Sequence, residues 1–173
     1  MEMRRPRSDP ASPVGTERPV MVVASPTSAG EAVAALRGAG VRGHVEVVHG
    51  GAEALDHLSP QVPSDPHRDE LPSFVVVDLD MPAGHARRLL RKVRGSRRTC
   101  ALPLIVLARS VRSPGLAESL DEGASIGLLK PLTAPSLAYA LRSIGLGRLL
   151  FEPAAEAAVD GRLVLTAAPS LVQ

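Results

Sequence analysis

Residues 74–82, Phe-Val-Val-Val-Asp-Leu-Asp-Met-Pro, constrain this chain more than any other stretch. Four apolar residues, three of them β-branched, read as a strand buried on both faces. The run stops at Asp78, with a second acid at Asp80 and a proline at 82. Similar short runs recur at 20–24, 44–48, 102–107 and 125–129. Between them lie segments with helical spacing. Buried strands alternating with amphipathic helices imply a parallel sheet covered on both faces. In such sheets ligands bind outside the carboxyl ends of the strands, which is where Asp78 falls.

The intervening segments supply the helices. Ser25-Pro26-Thr27-Ser28 reads as a turn with Ser28 as N-cap, and Ala29 to Ala39 as a helix with Val33 and Leu36 inward, ended by Gly40. Ala52 to Leu58 reads as a short helix after a Gly50-Gly51 break. Residues 84–94 place Leu89, Leu90 and Val93 on one face. Residues 114–122 form a helix ending at Gly123, and Ala134 to Gly145 one with Leu137, Leu141 and Ile144 inward. The chain divides into a disordered leader (1–18), a folded unit (19–147) and a tail (148–173) with a short strand at 163–165. Residues 59–72 hold four prolines and read as a long solvated loop.

Composition excludes several classes. With 20 basic and 18 acidic residues the net charge is +2, which steers polyanions weakly. The single cysteine, Cys100, allows no internal disulfide and reads as a small buried hydrophobe. No apolar run approaches the roughly 18 residues that span a bilayer, and no apolar stretch follows Arg4, Arg5 and Arg7 to make a secretory signal. The expectation is a soluble cytoplasmic protein without a membrane partner. His44, His49, His57, His67 and His85 lack the spacing of a metal site, and no phosphate-loop or nucleophile-elbow pattern is present. Arg87, Arg88, Arg91, Lys92, Arg94, Arg97 and Arg98 crowd the third helix and the turn after it. They read either as a site for an acidic partner or nucleic acid, or as a solvated face with cations near the helix C-terminus. No aromatic residues are interleaved to stack on bases, which argues against nucleic acid.

Asp78-Leu-Asp-Met-Pro, and Gly123-Ala-Ser-Ile-Gly-Leu-Leu-Lys130-Pro131 lying 52 residues on from Asp78 to Lys130, resemble the two sequence motifs of the response-regulator receiver domain. The long loop at 59–72 resembles the single-domain receivers that partner bacterial phytochrome kinases. The resemblance covers residues 19–147 and implies a flavodoxin-like, doubly wound sheet of five parallel strands in the order 2-1-3-4-5. It implies Asp78 as phospho-acceptor, Lys130 as the residue pairing with the phosphoryl oxygens, and a Mg²⁺ ion held in part by Asp78 and the backbone carbonyl of Asp80. The implied partner is a sensor histidine kinase or another signalling protein, with a homodimer allowed. No enzymatic activity of its own is expected.

The resemblance also marks departures. The acidic pair that ends the first strand in the family is here Ala24 and Ser25. The hydroxyl residue ending the fourth strand is Ala108, and the aromatic of the fifth strand is Gly127. Asp78, the Asp80 carbonyl and water are too few anionic ligands to hold Mg²⁺ tightly. The rival reading on the same fold is a pseudo-receiver, an interaction module that works without phosphorylation. The short tail after the last helix points to output through protein contacts.

Overall fold

The computed structural model describes residues 18–41, 43–59, 70–82, 84–150 and 165–166. The expected leader and most of the 59–72 loop and tail lie outside them. Twelve elements follow in chain order: β1 (Val20–Val23), α1 (Pro26–Gly38), β2 (Val45–Val48), α2 (Gly51–Leu58), β3 (Val75–Asp78), α3 (His85–Gly95), β4 (Leu104–Ala108), α4 (Pro114–Asp121), β5 (Ile126–Leu129), α5 (Ala134–Ser143), a single 3-10 turn (Gly147–Leu149) and β6 (Leu165–Thr166).

The sheet order is β2-β1-β3-β4-β5-β6. The first five strands are parallel, in the expected order 2-1-3-4-5. The sixth, a residue or two beyond the strand expected in the tail, pairs antiparallel with β5 and extends that edge.

Side chains of successive strand residues alternate between two cores. Val20, Val22, Phe74, Val76, Ile105, Leu107, Ile126 and Leu128 meet α1 and α5. Met21, Val23, Val75, Val77, Leu104 and Val106 meet α2, α3 and α4. With so few aromatics, Val, Leu and Ala fill both layers. In α1 the inward residues are Ala29, Ala32, Ala35 and Leu36, while Val33 is only partly buried. These small residues let α1 approach α5 closely.

Local chemistry explains where the helices begin. α1 starts at Pro26, earlier than expected, because proline at the first helical position has no N–H to leave unsatisfied. Ser25 therefore occupies the N-cap position, and Ser28 falls in the first turn. α5 begins with a reciprocal cap between Thr133 and Ser136. α3 follows Gly84, whose φ of 85° suits a residue without Cβ. Cys100 is exposed rather than buried. It lies in the turn between α3 and β4, and Pro103 sets the start of the strand at Leu104, two residues later than expected.

Gly127 in β5 marks a close approach. A Cβ built there would lie 2.6 Å from Cδ1 of Leu116, which is itself buried in α4. Leu116 thus occupies the space above β5 that a side chain at 127 would need.

Candidate functional site

The sheet order reverses between β1 and β3, and the crevice outside their carboxyl ends collects the candidate residues. Asp78 closes β3 and is 1% exposed. Ala24 and Ser25 follow β1, Ala108 closes β4, and Lys130 follows β5. The backbone N–H of Lys130 donates to the Ala108 carbonyl at 2.8 Å, which fixes the start of its side chain beside β4. From there the chain reaches over β4 to β3. The Lys130–Pro131 peptide is cis.

Lys130 Nζ lies 2.7 Å from Asp78 Oδ2 and 2.7 Å from Asp80 Oδ2. A longer contact of 3.4 Å runs to Ser28 Oγ. The other oxygen of Asp78, Oδ1, accepts the backbone N–H of Asp80 at 2.9 Å. Asp80 Oδ2 also accepts from Arg109 Nε at 2.7 Å. Two carboxylates and two cations thus interlock with no net charge. Burial pushes the Asp80 carboxyl up, but hydrogen bonds from Lys130 and Arg109, with their charges, hold it below the usual range. Burial pushes the Lys130 ammonium down, and its bonds to Asp78 and Asp80 outweigh that and raise it.

Three of these participants were not expected in these roles. Asp80 was expected to offer its backbone carbonyl to a metal, and here its carboxylate carries ion pairs to Lys130 and Arg109. Ser28 was read only as an N-cap, and Arg109 was not singled out at all. Arg109 stands directly after β4 at the same sheet edge, and Ser28 lies one turn into the helix after β1. Their positions beside the switch point are the signal that would have found them.

The donor set suits a divalent ion poorly. Both Asp78 oxygens are already engaged, and the ammonium of Lys130 stands between the two carboxylates. The Ser25 hydroxyl turns to Thr27 Oγ1 at 3.0 Å and Ser28 Oγ at 3.3 Å. Ala24 has no polar atom. A metal would have to displace the ammonium and find more oxygen ligands than these residues offer. No cluster of three or more His, Cys, Asp or Glu side chains fit for a metal occurs among the described residues.

A second charged constellation joins α3 to α4. Arg87 pairs with Glu118 at 3.0 Å and with Glu122 at 2.9 Å, and Arg91 reaches Glu122 at 2.8 Å. Arg94 donates to the carbonyls of Gly123, Cys100 and Leu102. These arginines, read from sequence as a solvated face or a polyanion site, therefore also brace the fold. No helix among the described residues is long and apolar enough to cross a membrane.

No family model matches the chain. A curated relative, the probable methanogenesis regulatory protein FilR2 of Methanothrix harundinacea (strain 6Ac), is 28% identical over 105 residues, which cover 61% of this chain and 66% of the relative. The match thus spans slightly less than two thirds of that relative's length. Among solved structures, the bacteriophytochrome response regulator AtBRR superposes with a TM-score of 0.66 at 24% identity, covering 81% of this chain and 98% of AtBRR. A putative response regulator from Chloroflexus aurantiacus J-10-fl gives 0.62 at 25% identity, covering 75% of this chain and 98% of its own. The receiver domain of the sensor histidine kinase PA1611 from Pseudomonas aeruginosa PAO1, solved with magnesium in its active-site cleft, gives 0.60 at 20% identity, covering 75% and 99%. The fold is that of the response-regulator receiver domain. Within that class its fold is similar to that of bacteriophytochrome response regulators.

Proposed function

We propose that this chain carries a receiver module, residues 19–147, that signals by protein contact and whose output does not depend on phosphorylation of Asp78. The observation that carries this reading is the closed ion-pair network. Asp78 is 1% exposed, and both of its oxygens are engaged by Lys130 and by the Asp80 N–H. Phosphoryl transfer relies on positioning and on neutralising charge. A carboxylate already neutralised by its own lysine, with Ala24 and Ser25 beside it, lacks the oxygen ligands for a metal. The moving parts implied by the resemblance are also missing. Ala108 has no hydroxyl to follow a phosphate, and at Gly127 the room for an aromatic ring is filled by Leu116. A modification without a two-state element to bias shifts nothing.

The experiment is a comparison of partner capture by the wild-type chain and Asp78→Asn, with the fold checked by circular dichroism. Binding should stay within about threefold, or roughly 0.6 kcal/mol. Beryllofluoride with Mg²⁺ should leave the amide spectrum largely unmoved. A partner lost on Asp78→Asn, or shifts spreading through α4 and β5, would refute this reading.

The second reading is a phospho-acceptor in a two-component relay with a sensor histidine kinase. It is favoured by the placement of Asp78 at the end of β3 with Lys130 at salt-bridge distance. The same two measurements decide between them.

A further inference from the structure

Nine of the chain's 20 basic residues, and none of its 18 acids, lie between residues 81 and 117. A net charge of +2 hides this asymmetry. The structure gathers much of it on one helix. Arg88, Arg91, Lys92 and Arg97 are exposed on α3 and the turn after it. Gly84, Arg87, Arg88, Arg91 and Lys92 line an open groove of about 550 Å³ with no acid in its wall. The groove lies on α3, and its lining includes none of the residues of the Lys130 ion-pair network.

We propose that this groove is a docking surface for a carboxylate-rich segment of a protein partner. Within the chain, Arg87 and Arg91 already converge on one carboxylate, that of Glu122. That pair shows the geometry in which these guanidinium groups hold an acid. Arg88 and Lys92, one turn apart on the same helix, stand exposed beside them and supply the charge that an incoming acid would meet.

Nucleic acid fits less well. Phosphate tracking needs many free cations, and Arg87 and Arg91 are in part neutralised by Glu118 and Glu122. Among the described residues no aromatic ring stands by to stack on a base: Phe74 is buried, and Tyr139 lies on α5, in the other helical layer. The groove is lined from Gly84 to Lys92, along about 12 Å of the α3 axis at 1.5 Å per residue. A few residues of an acidic peptide span that length.

The test uses the full chain and a fluorescent oligoglutamate peptide, read by anisotropy at low and physiological salt, with a short DNA duplex alongside. The peptide should bind in a salt-dependent manner, with amide shifts centred on residues 84–92. Arg88→Glu combined with Lys92→Glu should weaken it at least about tenfold. Arg142→Glu, a charge reversal on α5, should leave affinity within about twofold. Arg88→Gln with Lys92→Gln repeats the comparison without adding like-signed neighbours, should the reversal disturb folding. Equal losses in the α3 and α5 variants would overturn the proposal, since diffuse charge alone would then explain binding. So would no peptide binding at low salt. Tighter binding of the duplex, lost in the same α3 variants, would replace it with a nucleic-acid surface.

Discussion

Lys130 Nζ sits 2.7 Å from Asp78 Oδ2, joining the end of β5 to the end of β3 across the strand between them. The lysine is 14% exposed and the aspartate 1%, so the pair is shielded from water and salt. Removing one partner of such a pair leaves the other buried and uncompensated. Lys130→Met should lower unfolding free energy by about 3 kcal/mol at neutral pH. Adding Asp78→Asn removes the stranded charge and should restore most of the loss. Urea titrations of both single variants and the double variant measure it. A double variant no more stable than Lys130→Met would mean that the pair is not coupled.

The same network sets a pH profile. Asp80 and Glu122 are each pushed up by burial, but their bonds to Lys130 and Arg109, and to Arg87 and Arg91, hold them below ordinary values. A lowered carboxylate contributes stability that is full above its unfolded pKa and is lost as pH falls through its folded one. Lys130 is raised above its ordinary 10.5, so its contribution is full below that pH and is lost as pH rises through its folded value. Thermal melts should therefore show a plateau that declines below about pH 4 and again above 10.5. Lys130→Met should remove its share of the alkaline decline. An unchanged alkaline limb in that variant would contradict the assignment.

Gly127 and Leu116 should behave as a coupled pair. Gly127→Ala places a methyl group within 2.6 Å of Leu116 Cδ1, and such overpacking costs about 1–3 kcal/mol. Leu116→Ala alone empties a buried site and costs about 2–5 kcal/mol. Together they should cost less than the sum, because the smaller side chain at 116 admits the new methyl. Strict additivity in denaturation experiments would show that α4 does not press on β5 there.

Ser25→Asp should raise Mg²⁺ affinity by at least about tenfold, since an added carboxylate beside Asp78 supplies a hard anionic ligand and ligand charge tunes affinity. It should also destabilise the metal-free protein by crowding Asp78 and Asp80 with like charge. Calorimetric titration of both forms reads the first effect, and melts without metal read the second. Equal affinities would mean that position 25 does not face the ion.

The order of elements was legible because each buried strand carries a short β-branched run and each helix an apolar face. Element boundaries were less so, and the physics of each miss is local. Pro26 starts α1 early because it fits the first helical position, which moves the N-cap to Ser25. Pro103 delays β4 to Leu104, and Cys100 lies exposed in the turn that precedes it. At the site, Asp78 and Lys130 stood out through motif and interval. Arg109 and Ser28 did not, because nothing in linear order marks a residue that becomes a neighbour only when β1, β3, β4 and β5 align. The braces from Arg87 and Arg91 to α4 were equally hidden, since Glu118 and Glu122 lie some 30 residues away in the chain.

The ammonium of Lys130 is a counter-ion bound by covalent tether. Its local concentration is set by the length of its own side chain, not by the surrounding solution. It cannot be chelated, diluted or exchanged for another ion. The charge balance around Asp78 in this structure is thus supplied by the chain's own residues, Lys130 and Arg109 set against Asp78 and Asp80.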